Sequence, residues 1–431
     1  MNIFGLSAMV RRLRKTGVLK TIGRRVRRRF EAGRLIGQAE PRPILLRNAE
    51  GAMVLGNLLP SRRVLAEGLG VSPERFLGDL DAILKGRIRR PGAGLTIRDT
   101  VFGDFEIPLS RIREVPFLTY YPSDGGPYLT AGVWVVRDPV HGVNLSYHRL
   151  MMVSPTKGTV RVVENRGMDT AIKHSGGKAE VAVCIGAPMH VLFAAALSPA
   201  MGVNELGLAA RFGRVNLVRC KTVDLVVPAE CECVFEGRFT GRRGREGPFV
   251  DITGTIDGAR RQPVFELTRV AGKKDPIHYT IVPGLSDHRT LMGVPKELDI
   301  FREVSKVCRC IDVRITPGGA SWLHAVVKIE KKNADDGGRA IRAAFQGHRS
   351  LKGCVVVDAD IDIDDPGQVE WSLATRFQAS KGLVVLRRQP GSSLDPSALH
   401  SLGRKSLGSK MGLDATIPAG AERRLFRRIA G

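Results

Sequence analysis

Three short strings place polar groups inside otherwise apolar stretches: Asn144-Leu-Ser-Tyr-His-Arg149, Asn204-Glu205, and Arg245-Glu246-Gly247-Pro248-Phe249-Val250-Asp251. On buried strands, one arginine (Arg149) and three carboxylates (Glu205, Glu246, Asp251) are costly unless they pair or hold a cation. Ion pairing and cation binding are therefore the chemistry in view, although each residue taken singly reads as a structural ion pair or a cap. Other motifs are weaker. Asp358-Ala-Asp360-Ile-Asp362-Ile-Asp364-Asp365 alternates carboxylates like a calcium loop, but Ile363 stands where that loop needs glycine and Val369 where it needs a bidentate glutamate. It reads instead as a strand end leading into a helix. The nine histidines (His141, His148, His174, His190, His278, His288, His324, His348, His400) form no H-E-x-x-H or i, i+4 pair, so a zinc hydrolase is not indicated. Walker A, strand-to-helix G-x-G-x-x-G and G-x-S-x-G strings are absent as well, which argues against an ATPase, a dinucleotide enzyme or a serine hydrolase.

The elements that must position these groups belong to a chain of 431 residues, 43% hydrophobic and 26% charged. That balance is globular and excludes wholesale disorder, collagen and coiled coil, and the length suits two or three domains. The formal charge is +24, and half of it lies in residues 1–40 and 421–431. Charge concentrated at the ends, with only 6% aromatics to stack bases, favours a solvated or subunit-pairing helix over nucleic-acid or membrane contact. Seven scattered cysteines without C-x-x-C pairs fit a reducing cytoplasm. The apolar Met1–Val10 stretch precedes its arginines, the reverse of a signal peptide. Residues 181–204 approach membrane-spanning length, but Gly186, Pro188, His190 and Pro199 break them into a buried strand, a turn and a buried helix.

The spacing predicts a multidomain α+β and α/β chain in three parts. Residues 1–112 read as a mostly helical region with one short strand, including a helix within 60–70 ended by glycine and another opened by Ser72-Pro73-Glu74. Residues 113–300 carry short β-rich runs (132–137, 159–164, 181–185, 217–227, 231–239, 249–255, 264–270) that suggest a closed or split antiparallel barrel with helical insertions. Residues 301–431 alternate strands with helices at 308–315, 323–328, 337–347, 354–361 and 366–375, an α/β domain.

Order and spacing resemble the UbiD family of decarboxylases, which use prenylated flavin mononucleotide. The resemblance runs from about Glu31 to Thr416. Its most specific strings are Asn144 to Arg149 as N-x-x-x-x-R, Val227-Pro-Ala-Glu-Cys-Glu-Cys-Val-Phe-Glu-Gly237, Glu246-Gly-Pro-Phe249, and Gly408-Ser-Lys-Met-Gly-Leu-Asp-Ala-Thr416. The resemblance implies a flavin-reductase-like split barrel in the centre and a C-terminal oligomerisation domain. It implies Arg149, Glu246 and Asp251 as the catalytic set, and Asn144 with Glu205 as ligands of a Mn2+ or Mg2+ ion at the cofactor phosphate, with K+ as a further ion. Cofactor contacts fall on Asn144, Ser146, Tyr147, His148, Arg149, Arg161, Val162, Val163, Arg166, Gly167, Glu205 and Lys410. Two positions depart from the family. Asn165 stands where a metal-binding histidine is common, which implies an amide ligand or one ligand fewer, and Val250 replaces the usual glycine before the catalytic acid.

A vinylic carbanion exceeds what any side chain can absorb, so the cofactor must be the electron sink. Arg149 would then orient the substrate carboxylate, Asp251 would protonate the product carbon, and Glu246 would hold Arg149. Pro283 to Glu297 resembles a segment of archaeal members. One of these converts trans-anhydromevalonate 5-phosphate to isopentenyl phosphate, for which His288 and Arg289 would meet the substrate. The alternatives are 4-hydroxybenzoate or its polyprenyl form within the family, and a non-catalytic flavin carrier or RNA-associated protein outside it. Implied partners are a small carboxylate, a flavin prenyltransferase and further copies of the chain as a dimer or hexamer.

Overall fold

The computed structural model describes residues 5–400, 406–427 and 429. Met1 to Phe4 of the N-terminal reading and Arg428 of the basic tail lie outside them. The chain forms two compact units, residues 1–251 with 256–291, and residues 252–255 with 292–431.

The first unit is built on a nine-stranded antiparallel sheet. Its path runs Tyr128–Leu129, Leu150–Met152, Lys157–Val160, Arg260–Gly272, Cys233–Glu246, Glu180–Ile185, Val133–Asp138, Gly142–Tyr147, and Phe105–Ile107 pairs with Arg260–Gly272 off that path. The two ends of the path do not hydrogen-bond to each other, so the barrel expectation is met only as an extended antiparallel sheet. One face packs a core around Trp134, Phe235, Phe239 and Phe265. Trp134 is fully buried, meets Phe265 edge-on at 5.3 Å, and donates its indole N–H to His148 O at 2.9 Å. That bond fixes the backbone immediately before Arg149.

Around this sheet lie a four-stranded sheet (Lys20–Val26, Ile44–Ala49, Ala52–Gly56, Ile277–Tyr279) and a three-stranded one (Val226–Pro228, Arg214–Arg219, Gly94–Val101). The N-terminal 112 residues therefore hold five strands, not one, and Ile277–Tyr279 from the central segment completes the sheet formed by the first three. The reason is physical: Ile44-Leu-Leu46 and Val54-Leu55 are short, fully buried apolar runs, and periodicity cannot separate such a strand from a buried helix. Two further expectations shift. The run 217–227 divides into Arg214–Arg219 and Val226–Pro228. The helix expected to open at Ser72 begins at Phe76, while its predecessor Arg62–Leu69 ends at Gly70 with φ +65° as expected and is capped by Ser61 Oγ, which accepts from Val64 N. The uncharged 181–204 segment is a strand followed by the helix Met189–Ala196, and no helix among the described residues is long and apolar enough to cross a membrane.

The second unit has a five-stranded mixed sheet in the order Arg309–Ile315, His324–Glu330, Gly353–Asp358, Leu407–Ala415, Leu383–Pro390. The helix Asp336–Gly347 packs on it where Gly337 and Gly412 leave no room for a side chain. The acidic run is a strand end and a helix cap. Asp365 caps Pro366–Arg376 through Gly367 N, and Arg376 pairs with Asp358 and Asp360.

Candidate active site

The edge strand Gly142–Tyr147 pairs with Val133–Asp138, placing Asn144 opposite Val136 and Ser146 opposite Trp134. Side chains alternate along a strand, so Asn144, Ser146 and His148 share one face. There they form a relay. Asn144 Nδ2 donates to Glu205 Oε1 at 2.9 Å, Ser146 Oγ lies 3.5 Å from Asn144 Oδ1 and 2.8 Å from His148 Nε2, and His148 Nδ1 lies 2.9 Å from Arg161 O. A carbonyl only accepts, so His148 Nδ1 carries the proton and Nε2 accepts from the Ser146 hydroxyl. Burial lowers the His148 pKa to about 4, which keeps it neutral at pH 7. With the hydroxyl proton committed to His148, Asn144 Oδ1 is left as an open acceptor.

Glu205 starts the helix Glu205–Ala209 and is 2% exposed. Its partners are neutral donors, Asn144 Nδ2 and Leu145 N (2.8 Å), and burial raises its pKa to about 7. A buried acid facing only neutral donors is relieved by a cation. Turning the Asn144 amide over would present its oxygen toward Glu205 and make the two a hard-oxygen pair, which suits Mn2+ or Mg2+.

The third string forms the densest charge cluster. Strand Cys233–Glu246 delivers Glu246 to its end, and the Phe249–Val250 strand pairs with Ile256–Asp257 so that Phe249 faces Asp257. Arg149 donates from Nε and Nη2 to Glu246 (2.8 and 3.1 Å), from Nη1 to Asp251 (2.9 Å) and from Nη2 to Asp257 (2.8 Å). Its guanidinium lies 4.4 Å above the Phe249 ring. Arg149 is 9% exposed by side chain and Glu246 0%. Burial alone would lower the Arg149 pKa, but Glu246, Asp251 and Asp257 more than offset it and hold the pKa above its ordinary value. Arg260 pairs with Asp257 and Arg161 lies 3.9 Å from it. Three guanidinium groups thus balance three carboxylates. Tyr128 completes the cluster by donating to Glu246 at 3.2 Å.

The third carboxylate on Arg149 is Asp257, and Glu205 sits on Asn144, the residue with which the resemblance pairs it. Val250 does not pull Asp251 out of reach. Asn165 is exposed at φ +58°, a conformation asparagine tolerates, and no hydrogen bond joins it to Asn144 or Glu205. Two residues on, Gly167 opens the helix Gly167–His174, whose start Arg166 precedes without a side-chain cap, and any Cβ on Gly167 would lie 2.6 Å from Asn144 Cγ. The amides of that helix start, with the Asn144 side chain against them, form a cradle that fits an anionic group bridged by a cation, as in a flavin phosphate with its metal. Arg161 donates to Val162 O, Val162 is a core side chain with only backbone to offer, and Val163 is exposed. The Tyr147 hydroxyl is buried without a hydrogen-bond partner.

His288 accepts from Gly284 N at 3.1 Å; burial lowers its pKa, opposed by the charge of Asp251, so it lies within electrostatic range of the cluster. Arg289 Nε beside it is buried without a hydrogen-bond partner. Lys410 belongs to the second unit, where its ammonium donates to Arg349 O (2.6 Å) and Leu351 O (2.7 Å), and burial lowers its pKa to about 8. Those bonds give it a local structural role. Asp257, Tyr128 and Arg260 are the functional groups that sequence reasoning missed.

Comparison with known proteins follows this geometry. Sequence models of the 3-octaprenyl-4-hydroxybenzoate carboxy-lyase N-terminal, Rift-related and C-terminal domains match residues 10–84, 105–286 and 289–415. The anhydromevalonate phosphate decarboxylase of Methanocaldococcus jannaschii is 37% identical over 409 residues, covering 93% of this chain and 94% of its own. The protein of the same name from Methanosarcina mazei is 38% identical over 411 residues, with 94% of each chain covered. Among solved structures, the UbiD-class enzyme HmfF from Pelotomaculum thermopropionicum in complex with FMN superposes with a TM-score of 0.91 at 32% identity, covering 99% of this chain and 97% of its own.

Proposed function

The chain belongs to the UbiD family of carboxy-lyases, and from that membership we propose that it decarboxylates trans-anhydromevalonate 5-phosphate to isopentenyl phosphate with prenylated FMN. Membership makes it a decarboxylase. The observation that carries the substrate is the likeness, along more than nine-tenths of the chain, to two anhydromevalonate phosphate decarboxylases. An evolved dimeric form of HmfF, 31% identical, is in complex with prFMN, which supports the choice of cofactor.

When bound, the prenylated flavin supplies the electron sink for the carbon that loses carbon dioxide. The residues of this chain do the rest. Asn144 and Glu205 would hold the divalent ion, with the Gly167 helix start against the phosphate. Arg149 would take the substrate carboxylate through Nη1 and Nη2, the two nitrogens it shares with Asp251 and Asp257, while Glu246 keeps Nε and the plane of the guanidinium fixed. One C–C bond breaks and one C–H bond forms, so each turnover consumes a proton, which Asp251 would deliver. Arg289, with an unpartnered buried N–H, and His288 are the groups that favour a phosphate ester over 4-hydroxybenzoate or a polyprenyl hydroxybenzoate.

The test is co-expression with a flavin prenyltransferase followed by carbon dioxide release from trans-anhydromevalonate 5-phosphate and from 4-hydroxybenzoate, with Asp251→Asn as control. Turnover of the phosphate ester alone, lost in the control, is the expected result. Turnover of the aromatic acid alone would overturn the substrate while leaving the family intact.

A further inference from the structure

We propose that Asp138, His141 and His174 form a second metal site, for a borderline divalent ion such as Zn2+, Co2+ or Ni2+, separate from the Asn144 and Glu205 pair. One carboxylate oxygen of Asp138 and one ring nitrogen from each histidine lie within 4.8 Å of one another. Asp138 ends the strand Val133–Asp138, His141 stands in the hairpin that follows, and His174 is the last residue of the helix Gly167–His174. Three segments distant in sequence or turned back on themselves thus present metal-ligating atoms to one point.

The carboxylate itself indicates that something is missing. Asp138 is 3% exposed. Its Oδ1 accepts from Val140 N (2.8 Å), His141 N (3.2 Å) and His174 Nδ1 (2.9 Å), and its Oδ2 is buried without a hydrogen-bond partner. A simple Asp138–His174 ion pair accounts for Oδ1 but leaves both the idle Oδ2 and the approach of His141 unexplained. Leaving a buried carboxylate oxygen unsatisfied carries a desolvation penalty that a bound cation removes. The His141 and His174 rings are 5.7 Å apart with 37° between their planes, so both can turn a nitrogen toward one ion. A helix C-terminus adds a favourable potential for a cation. The His174 side chain is 36% exposed, which gives an ion access from solvent.

Two imidazoles with one carboxylate select Zn2+, Co2+ or Ni2+ over Mg2+ or Ca2+, which take oxygen shells, and leave positions for water. Such an ion would act as a staple. It would tie the hairpin that carries Asn144 to the end of the helix whose first residue, Gly167, packs on Asn144.

The experiment uses the full chain without a histidine tag, stripped by chelator and titrated with Co2+ while its visible d–d bands are recorded. About one equivalent with an imidazole-type band is expected. The band should disappear in His141→Ala and in His174→Gln, persist in Asn144→Ala, and be displaced by Zn2+ but not Mg2+. Zn2+ should also raise the thermal midpoint of the parent chain and leave that of His141→Ala, a change in an exposed hairpin, unmoved. Equal uptake by the parent and both histidine variants, or a band lost only in Asn144→Ala, would overturn the site.

Discussion

Replacing Glu246 by glutamine tests whether the carboxylate network holds Arg149 for its task. Glu246 is fully buried, accepts from two Arg149 nitrogens at 2.8 and 3.1 Å, and accepts from Tyr128 at 3.2 Å. A glutamine of the same shape can keep one of the arginine bonds through its oxygen, but its NH2 group then faces an Arg149 N–H, donor against donor. One charge-assisted bond, worth about 1.5–3 kcal/mol, is lost, and the other falls to the roughly 1 kcal/mol of a neutral acceptor. The balance of three guanidinium groups and three carboxylates also becomes a buried excess of +1. Together these give an expected destabilisation of about 3–5 kcal/mol, the range for breaking a buried pair from one side. If about 2.7 kcal/mol of that loosening reaches the transition state, kcat/KM falls about 100-fold. Urea unfolding followed by far-ultraviolet circular dichroism reads the first number, and carbon dioxide release by the reconstituted enzyme reads the second. Asp251→Asn is the contrast. Asp251 gives Arg149 one bond and is 16% exposed, so its loss should cost only about 1–2 kcal/mol yet stop turnover more completely. A Glu246→Gln enzyme within about 1 kcal/mol and about threefold of the parent would refute the argument, because it would mean that Arg149 keeps its orientation without Glu246.

Burial raises the Asp287 pKa to about 6, while Leu58 N, Leu59 N and Tyr279 donate to it. An acid with a raised folded pKa favours the fold most when protonated in both states, so stability should fall by about 3 kcal/mol as pH rises from about 4 to 6; Asp287→Asn, measured by unfolding across that window, should remove the slope. Gly167→Ala would drive a Cβ into the Asn144 side chain, and after co-expression with the prenyltransferase the purified variant should show a clear loss of flavin absorbance with its circular dichroism unchanged. Arg289→Gln should raise KM for the phosphate ester at least about tenfold with a smaller effect on kcat, and parent-like kinetics would remove Arg289 from substrate recognition.

The motif strings singled out residues that the fold brings together, because each places a charge where apolar residues surround it. Arg149 is 97 residues from Glu246 and 102 from Asp251 in the chain, and within hydrogen-bond distance of both in the fold. What the strings could not give was the pairing. Asp257 is followed by Gly258, and an Asp-Gly step reads as a hairpin turn, so its carboxylate was passed over; only the register that sets Phe249 against Asp257 turns it toward Arg149. Glu205 was the converse case, legible as a buried acid and placed by the resemblance beside Asn144, where the fold also puts it. At the level of elements, the C-terminal α/β pattern was readable from its alternation of strand-like and helix-like runs. The strand Cys233–Glu246 was underestimated because Gly-Arg-Arg-Gly-Arg near its end lacks β propensity, and its pairing with Arg260–Gly272 overrides that. The N-terminal strands failed for want of alternation, and Asn165 was proposed as a ligand on position alone, which says nothing about where a side chain points.

The charge balance at Arg149 also constrains the order of events. The cluster is neutral as it stands, three guanidinium groups against Glu246, Asp251 and Asp257, in a site where Arg149 is 9% exposed. A substrate carboxylate that takes the Nη1 and Nη2 side of Arg149 would bring a fourth negative charge into a space with little water to screen it. Two ways out exist: a carboxylate moves away from the guanidinium, or one gains a proton. Glu246 is the worst placed to do either, since it holds two arginine bonds and a tyrosine from full burial, and Asp257 is locked by Arg260 as well. Asp251, the most exposed of the three at 16%, is the group that can yield. In the proposed reaction, a carboxyl group freed in this way would be the one beside the carbon that needs a proton. The substrate would thus load its own proton donor by displacing it, and catalysis would require that the other two carboxylates be held too tightly to compete.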